Sequence, residues 1–63
     1  MQTRKVGNKR CLLNDKGTPA SKYQGKNILI GLGFTVCENP TYYSRGTMTA
    51  HWNSISKMWF VEG

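Results

Sequence analysis

One histidine, two cysteines and three carboxylates are the side chains of this 63-residue chain best suited to acid–base, thiol and metal chemistry. Asp15, Glu38 and Glu62 are scattered, with no second acid at a spacing that would pair them for proton transfer. Cys37 and His51 could act as nucleophile and base on neighbouring strands, but such a pair needs a third group to orient the imidazole, and none is identifiable. Cys11, Cys37 and His51 would offer zinc three ligands without a CxxC pair and without a fourth ligand beyond the scattered acids. The expectation is a protein that is not an enzyme and uses no metal or cofactor.

What the chain has in quantity is cationic and aromatic: nine Lys and Arg, two Trp, three Tyr and two Phe. Arg4, Lys5, Lys9, Arg10, Lys16, Lys22 and Lys26 all precede residue 27 and face Asp15 alone, so residues 1–26 carry the entire net charge of +6. Residues 27–63 balance Arg45 and Lys57 against Glu38 and Glu62. A concentrated excess of this kind suits a polyanion, because phosphates release condensed counterions when Lys and Arg neutralise them. The first functional reading is therefore a small basic protein that binds nucleic acid, DNA or RNA, without catalysis. Its candidate contacts are the seven N-terminal cations together with Tyr43, Arg45 and His51, which alternate onto one polar face if residues 41–52 form a strand. Trp52 and Trp59 are assigned to the core.

A second reading is a small non-catalytic protein of the kind phages or mobile elements use to bind and modulate a host protein or enzyme. Its basic half would steer it onto an acidic protein surface.

The elements that must position these residues begin with a hairpin. Residues 3–6 and 9–13 flank Gly7 and Asn8, a pair suited to a two-residue primed turn. Thr18 and Pro19 read as an N-cap and first helical position, with a short helix over residues 19–24 stopped by Gly25. The one long apolar run, residues 27–37 (NILIGLGFTVC), admits two readings. As a strand it places Ile28, Ile30, Leu32, Phe34 and Val36 on one packed face. As a helix over residues 19–32 it would end with Gly33 as a left-handed cap and Phe34 as the following hydrophobic contact. The strand is preferred, because Gly25 and Gly31 would each cost a helix interior about 1 kcal/mol.

Pro40 ends the run. Gly46 marks either a bulge in a long strand or the turn of a tighter hairpin, and a last strand over residues 57–61 places Met58 and Phe60 in the core. The expected fold is all-β or β-dominated: a small antiparallel meander or partly open barrel of 4–5 strands with one short helix. The alternative is α+β, with a helix over residues 19–32 on a three-stranded antiparallel sheet.

The glycines at 31 and 33 lack the third glycine of a dinucleotide loop, since Val36 stands there. The tetrapeptide Gly31, Leu32, Gly33, Phe34 resembles the carboxylate-binding loop of PDZ domains. That likeness spans four residues of a chain too short for the fold, and close backbone contact or sheet curvature is the simpler use of the pair.

One domain is expected at this length, with a basic segment over residues 1–26 and an apolar sheet core over residues 27–63. The run has 11 residues where a spanning helix needs about 20, so no membrane span is expected. The N-terminal segment lacks the apolar stretch of a secretory signal. These features point to the cytoplasm and to Cys11 and Cys37 as reduced, buried thiols rather than one disulfide. Edge strands of so small a meander leave homodimerisation open.

Overall fold

The computed structural model describes residues Met1–Gly63. The chain is strand-dominated: six antiparallel strands form one open sheet, and a single helix lies on one face of it. The strands are β1 (Thr3–Val6), β2 (Lys9–Leu12), β3 (Thr35–Val36), β4 (Tyr42–Arg45), β5 (Met48–Asn53) and β6 (Met58–Glu62). The helix α1 (Lys22–Gly31) follows β2. In space the strand order is β1-β2-β6-β5-β4-β3. The segment containing the helix thus carries the chain from the β1–β2 side of the sheet to its far edge. The meander β3 to β6 then returns, and β6 pairs with β2 through Arg10↔Val61 and Cys11↔Phe60.

Two glycines set the tight hairpins. Gly7 and Gly46 hold φ at 63° and 61°, each at the first central position of a two-residue turn. That is the position where a II′ turn needs positive φ, and its twist matches that of the flanking strands. The hairpin expected around Gly7 and Asn8 is present, with Val6 opposite Lys9. Gly46 is a hairpin turn and not a bulge, with Arg45 opposite Met48.

The apolar run corrects the strand reading. Residues 27–31 belong to α1, and only Thr35 and Val36 of the run pair as a strand. The helix starts later than Pro19, at a capping box. Ser21 Oγ accepts from the Gln24 amide at 3.1 Å, and Gln24 Oε1 accepts from the Ser21 amide at 3.0 Å. It ends on Gly33, with φ of 90°, whose amide donates to the Ile30 carbonyl while the Phe34 amide donates to that of Leu29. This crossed pair is a Schellman motif, and Phe34 and Leu29 meet in the core beneath it. Residues 31–34, which resemble a carboxylate-binding loop, are therefore a helix ending whose amides are already committed. Ile30 and Val36, placed by the strand reading on a packed face, are both 57% exposed.

The helix-side core comprises Leu12, Ala20, Leu29, Phe34, Tyr43, Ala50, Trp59 and Val61. Ile28, Leu32, Met48 and Trp52 pack at its margin. The charge step at residue 27 is thus no structural boundary, because Leu12 and Ala20 of the basic segment sit in the same core. Trp59 is its centre: fully buried, edge-on to Tyr43 at 5.6 Å and 5.7 Å from Trp52. Its Nε1 donates to the Ser21 and Lys22 carbonyls at 3.2 and 3.3 Å. Gly25 explains the approach, since a Cβ built there would collide with the Trp59 indole ring. No helix is long and apolar enough to cross a membrane.

The two helical glycines make opposite predictions. Gly25→Ala gains about 1 kcal/mol of helix propensity but drives a methyl into Trp59, an overpacking cost of about 1–3 kcal/mol or more. The urea midpoint should fall, and the helix should be forced off the indole. A methyl added at Gly31 would meet no atom within 4 Å, so Gly31→Ala should raise the midpoint by up to about 1 kcal/mol of stability. A rise for both variants would show that the Trp59 contact does not hold the helix.

Candidate nucleic-acid interface

The helix covers one face of the sheet, and no second layer covers the other. Alternation along the paired strands decides which side chains stand on that outer face. Tyr42 lies opposite His51, and His51 lies opposite Phe60. Phe60 lies opposite Cys11, and Cys11 lies opposite Arg4. These five residues form one row across β4, β5, β6, β2 and β1. Tyr42 and His51 stack with ring centres 5.4 Å apart and planes 19° from parallel, and Phe60 sits 5.9 Å beyond His51. Lys9 places its ammonium 5.4 Å above the Phe60 ring.

The row is graded in exposure. Tyr42 is 45% exposed and His51 is partly exposed, so both offer ring surface to a ligand. Phe60 is 6% exposed and Cys11 is fully buried, which makes them the floor of the face. Met58 shares that face through its parity with Phe60: Phe60 is buried, as the sequence leads one to expect, but on the outer face, and half-buried Met58 lies there too, so neither joins the helix-side cluster. Arg4 and Lys9 supply charge at one end, and Glu62, opposite Thr49, is the carboxylate of the face.

Of the residues singled out from the sequence, the structure brings Arg4, Lys9 and His51 together on the outer face. Lys5 and Arg10 lie opposite each other on the helix side of the hairpin, where Arg10 Nε donates to Thr3 Oγ1 at 2.8 Å. Lys16 lies in the loop after β2, and Lys22 and Lys26 lie on the solvent side of α1.

Tyr43 and Arg45 do not join His51. Tyr43 is 3% exposed and belongs to the core. Arg45 caps the helix: its Nη1 donates to the Leu32 carbonyl at 2.7 Å, and its guanidinium stands 5.7 Å from the Phe34 ring centre. The expected shared face fails for a countable reason. A two-residue turn makes Arg45 and Met48 partners, so odd positions of β4 share a face with even positions of β5. Tyr42 and Phe60 are the residues that the sequence pattern does not single out, and the register implied by Gly46 is the signal that identifies Tyr42.

No three His, Cys, Asp or Glu side chains converge where they could hold a metal ion. The one cavity, about 270 Å³, is a polar groove between the loop after β2 and α1, bordered by Asn14, Asp15, Lys16, Gln24, Asn27 and Ile28. Its polar groups hold the loop in shape: Asn14 Oδ1 accepts from the Lys16 and Thr18 amides, and Asn14 Nδ2 donates to Gln24 Oε1.

No family model, curated protein or solved structure matches the chain. The geometry therefore carries the functional reading by itself.

The two thiols are free and differ in environment, which corrects the expectation that both are buried. Cys37 is exposed, with its Sγ 3.7 Å from Ser44 Oγ. Burial pushes the Cys11 thiol above its ordinary range, and the nearby Arg4 charge offsets part of that rise. An acid held protonated in the folded state contributes stability below its unfolded pKa and loses it as pH rises towards its folded one. A thiol reagent at neutral pH should modify one equivalent quickly, at Cys37, and the second only on unfolding. Rapid modification of both under native conditions would show the outer face to be open at its floor.

Proposed function

We propose that the chain binds single-stranded nucleic acid on the outer face of its sheet, without catalysis. The observation that carries this reading is the Tyr42, His51, Phe60 row, with ring spacings of 5.4 and 5.9 Å and with Lys9 and Arg4 beside it. Within the row the rings of Tyr42 and His51 offer stacking surface to unpaired bases, which a duplex keeps buried in its own stack, and buried Phe60 supports them from beneath. Cations at one end would track the backbone that links those bases. The helix-side cations Lys5 and Arg10 stand on the same two strands, β1 and β2, so their field adds to that of Arg4 and Lys9 within a Debye length of about 8 Å.

Magnitudes make the reading testable. Two phosphate contacts on a single strand give a log–log salt slope of about −1.4, so affinity should drop roughly sevenfold between 50 and 200 mM salt. Fluorescence anisotropy with labelled single-stranded DNA and RNA, and with a duplex of the same sequence, reads this directly. Replacing Arg4 or Lys9 by Gln should flatten the slope by about 0.7 each. Tyr42→Ala and His51→Ala should each weaken single-strand binding by about 1–3 kcal/mol if a base stacks on that ring. Arg45→Ala should instead cost about 1 kcal/mol of stability through the lost helix cap and leave affinity unchanged. Absence of single-strand binding at low salt would end the proposal, as would a duplex bound as tightly as the single strand.

A further inference from the structure

The helix presents to solvent a face that the fold does not use. Gly25 and Leu29 are its buried residues, and Ile28 and Leu32 pack at the core margin. On the opposite side, at about 100° per residue, Tyr23 and Ile30 fall within roughly 20° of each other, two turns apart. Tyr23 is 74% exposed and Ile30 is 57% exposed. Both lysines are exposed on one flank: Lys26 borders this stripe at about 40–60°, and Lys22 lies about 80–100° round the helix from it. Two large apolar side chains one above the other on a solvent-facing stripe are the pattern of helix-surface anchors.

The electrostatics of α1 run against its own stability. Its first turn contains no acid, although that end of the helix dipole favours negative charge. Lys22 occupies the first helical position instead, and Lys26 repeats the positive charge one turn later, an unfavourable like-charge spacing. The Ser21 and Gln24 capping box satisfies amides at this end but brings no negative charge to it. An acidic occupant would reverse the sign of both.

From this charge pattern and the two exposed anchors we infer that the solvent face of α1 is a docking surface for an acidic protein segment with apolar side chains. Tyr23 and Ile30 insert between its apolar residues, and Lys22 and Lys26 meet its carboxylates. A nucleic acid would use the lysines and stack on Tyr23 but has no role for Ile30, and two apolar side chains are too few to hold a helix in a lipid surface. The sheet separates this face from the ring row, so the inference does not depend on the nucleic-acid reading and both surfaces could be filled together.

The test uses the full chain, isotope-labelled, in NMR titrations. The probe is a synthetic amphipathic peptide with Leu and Phe on one helical face and Glu on the other. Amide shifts should cluster at Lys22, Tyr23, Lys26 and Ile30. Tyr23→Ser with Ile30→Ser, and separately Lys22→Glu with Lys26→Glu, should each weaken the peptide by about tenfold or more. All four positions are exposed, and unchanged thermal midpoints would confirm that the variants fold. A control peptide with Gln for Glu should lose the shifts.

Several outcomes would overturn the inference: no shifts at about 1 mM peptide, or shifts confined to the ring row. So would shifts on α1 produced by a single-stranded oligonucleotide, or by vesicles about one-third phosphatidylserine, in place of the peptide.

Discussion

The contact between Trp59 and the backbone of the helix at Gly25 is the constraint on which the rest of the chain depends. β6 is the strand that joins the N-terminal hairpin to the meander, through β2 on one side and β5 on the other. Trp59 stands on that strand, buries its whole side chain, and anchors its indole N–H on the Ser21 and Lys22 carbonyls at the start of α1. One residue therefore fixes both the position of the helix over the sheet and the height at which it rides. A chain of this size has little apolar area to spare, and the helix-side core is eight residues around that indole. The glycine that looks like a helix breaker is the residue that lets the indole reach the backbone.

Placing the single helix on one face leaves the other without a covering layer. A small sheet must then finish its outer face with its own side chains, and here Lys9 lies over Phe60 while His51 and Tyr42 lean together across β5 and β4. The same parity that gives Tyr43 to the core gives Tyr42 to the outer face. Core and candidate site are thus two readouts of one register, set by the turn at Gly46. A slip of one residue in that hairpin would bury Tyr42, expose Tyr43 and dismantle both.

Much of the local structure is legible in the residues. The Gly7 and Asn8 hairpin, the Gly33 and Phe34 helix ending and the β-dominated architecture with one helix all follow from short-range signals. The apolar run misleads because Ile28, Ile30, Leu32, Phe34 and Val36 alternate as a buried strand should, while the opposing signal, Ser21 capped by Gln24, lies outside the run. The cost assigned to Gly25 is correct in isolation. Its compensation sits 34 positions away at Trp59, beyond any local pattern. The candidate site is half legible for a related reason. Cations and the lone histidine can be read off directly, but which tyrosine they join depends on whether Gly46 makes a bulge or a turn, and a lone glycine supports either.

The charge step before residue 27 is the feature that the fold most transforms. In the sequence it resembles one basic surface; in space the alternation of β1 and β2 divides it between two faces. Arg4 and Lys9 go outward, Lys5 and Arg10 go to the helix side, and the helix carries Lys22 and Lys26 out to solvent. A long-range field depends on summed charge and is little changed by this division, so attraction of a polyanion or an acidic surface acts from either side. Short-range selection is different, because each face adds its own uncharged groups to a modest number of cations. Aromatic rings stand on the outer face, and Tyr23 with Ile30 stands on the helix. Distributing one charge excess over two chemically distinct faces is how a chain of 63 residues could attract ligands in common and still sort them by side.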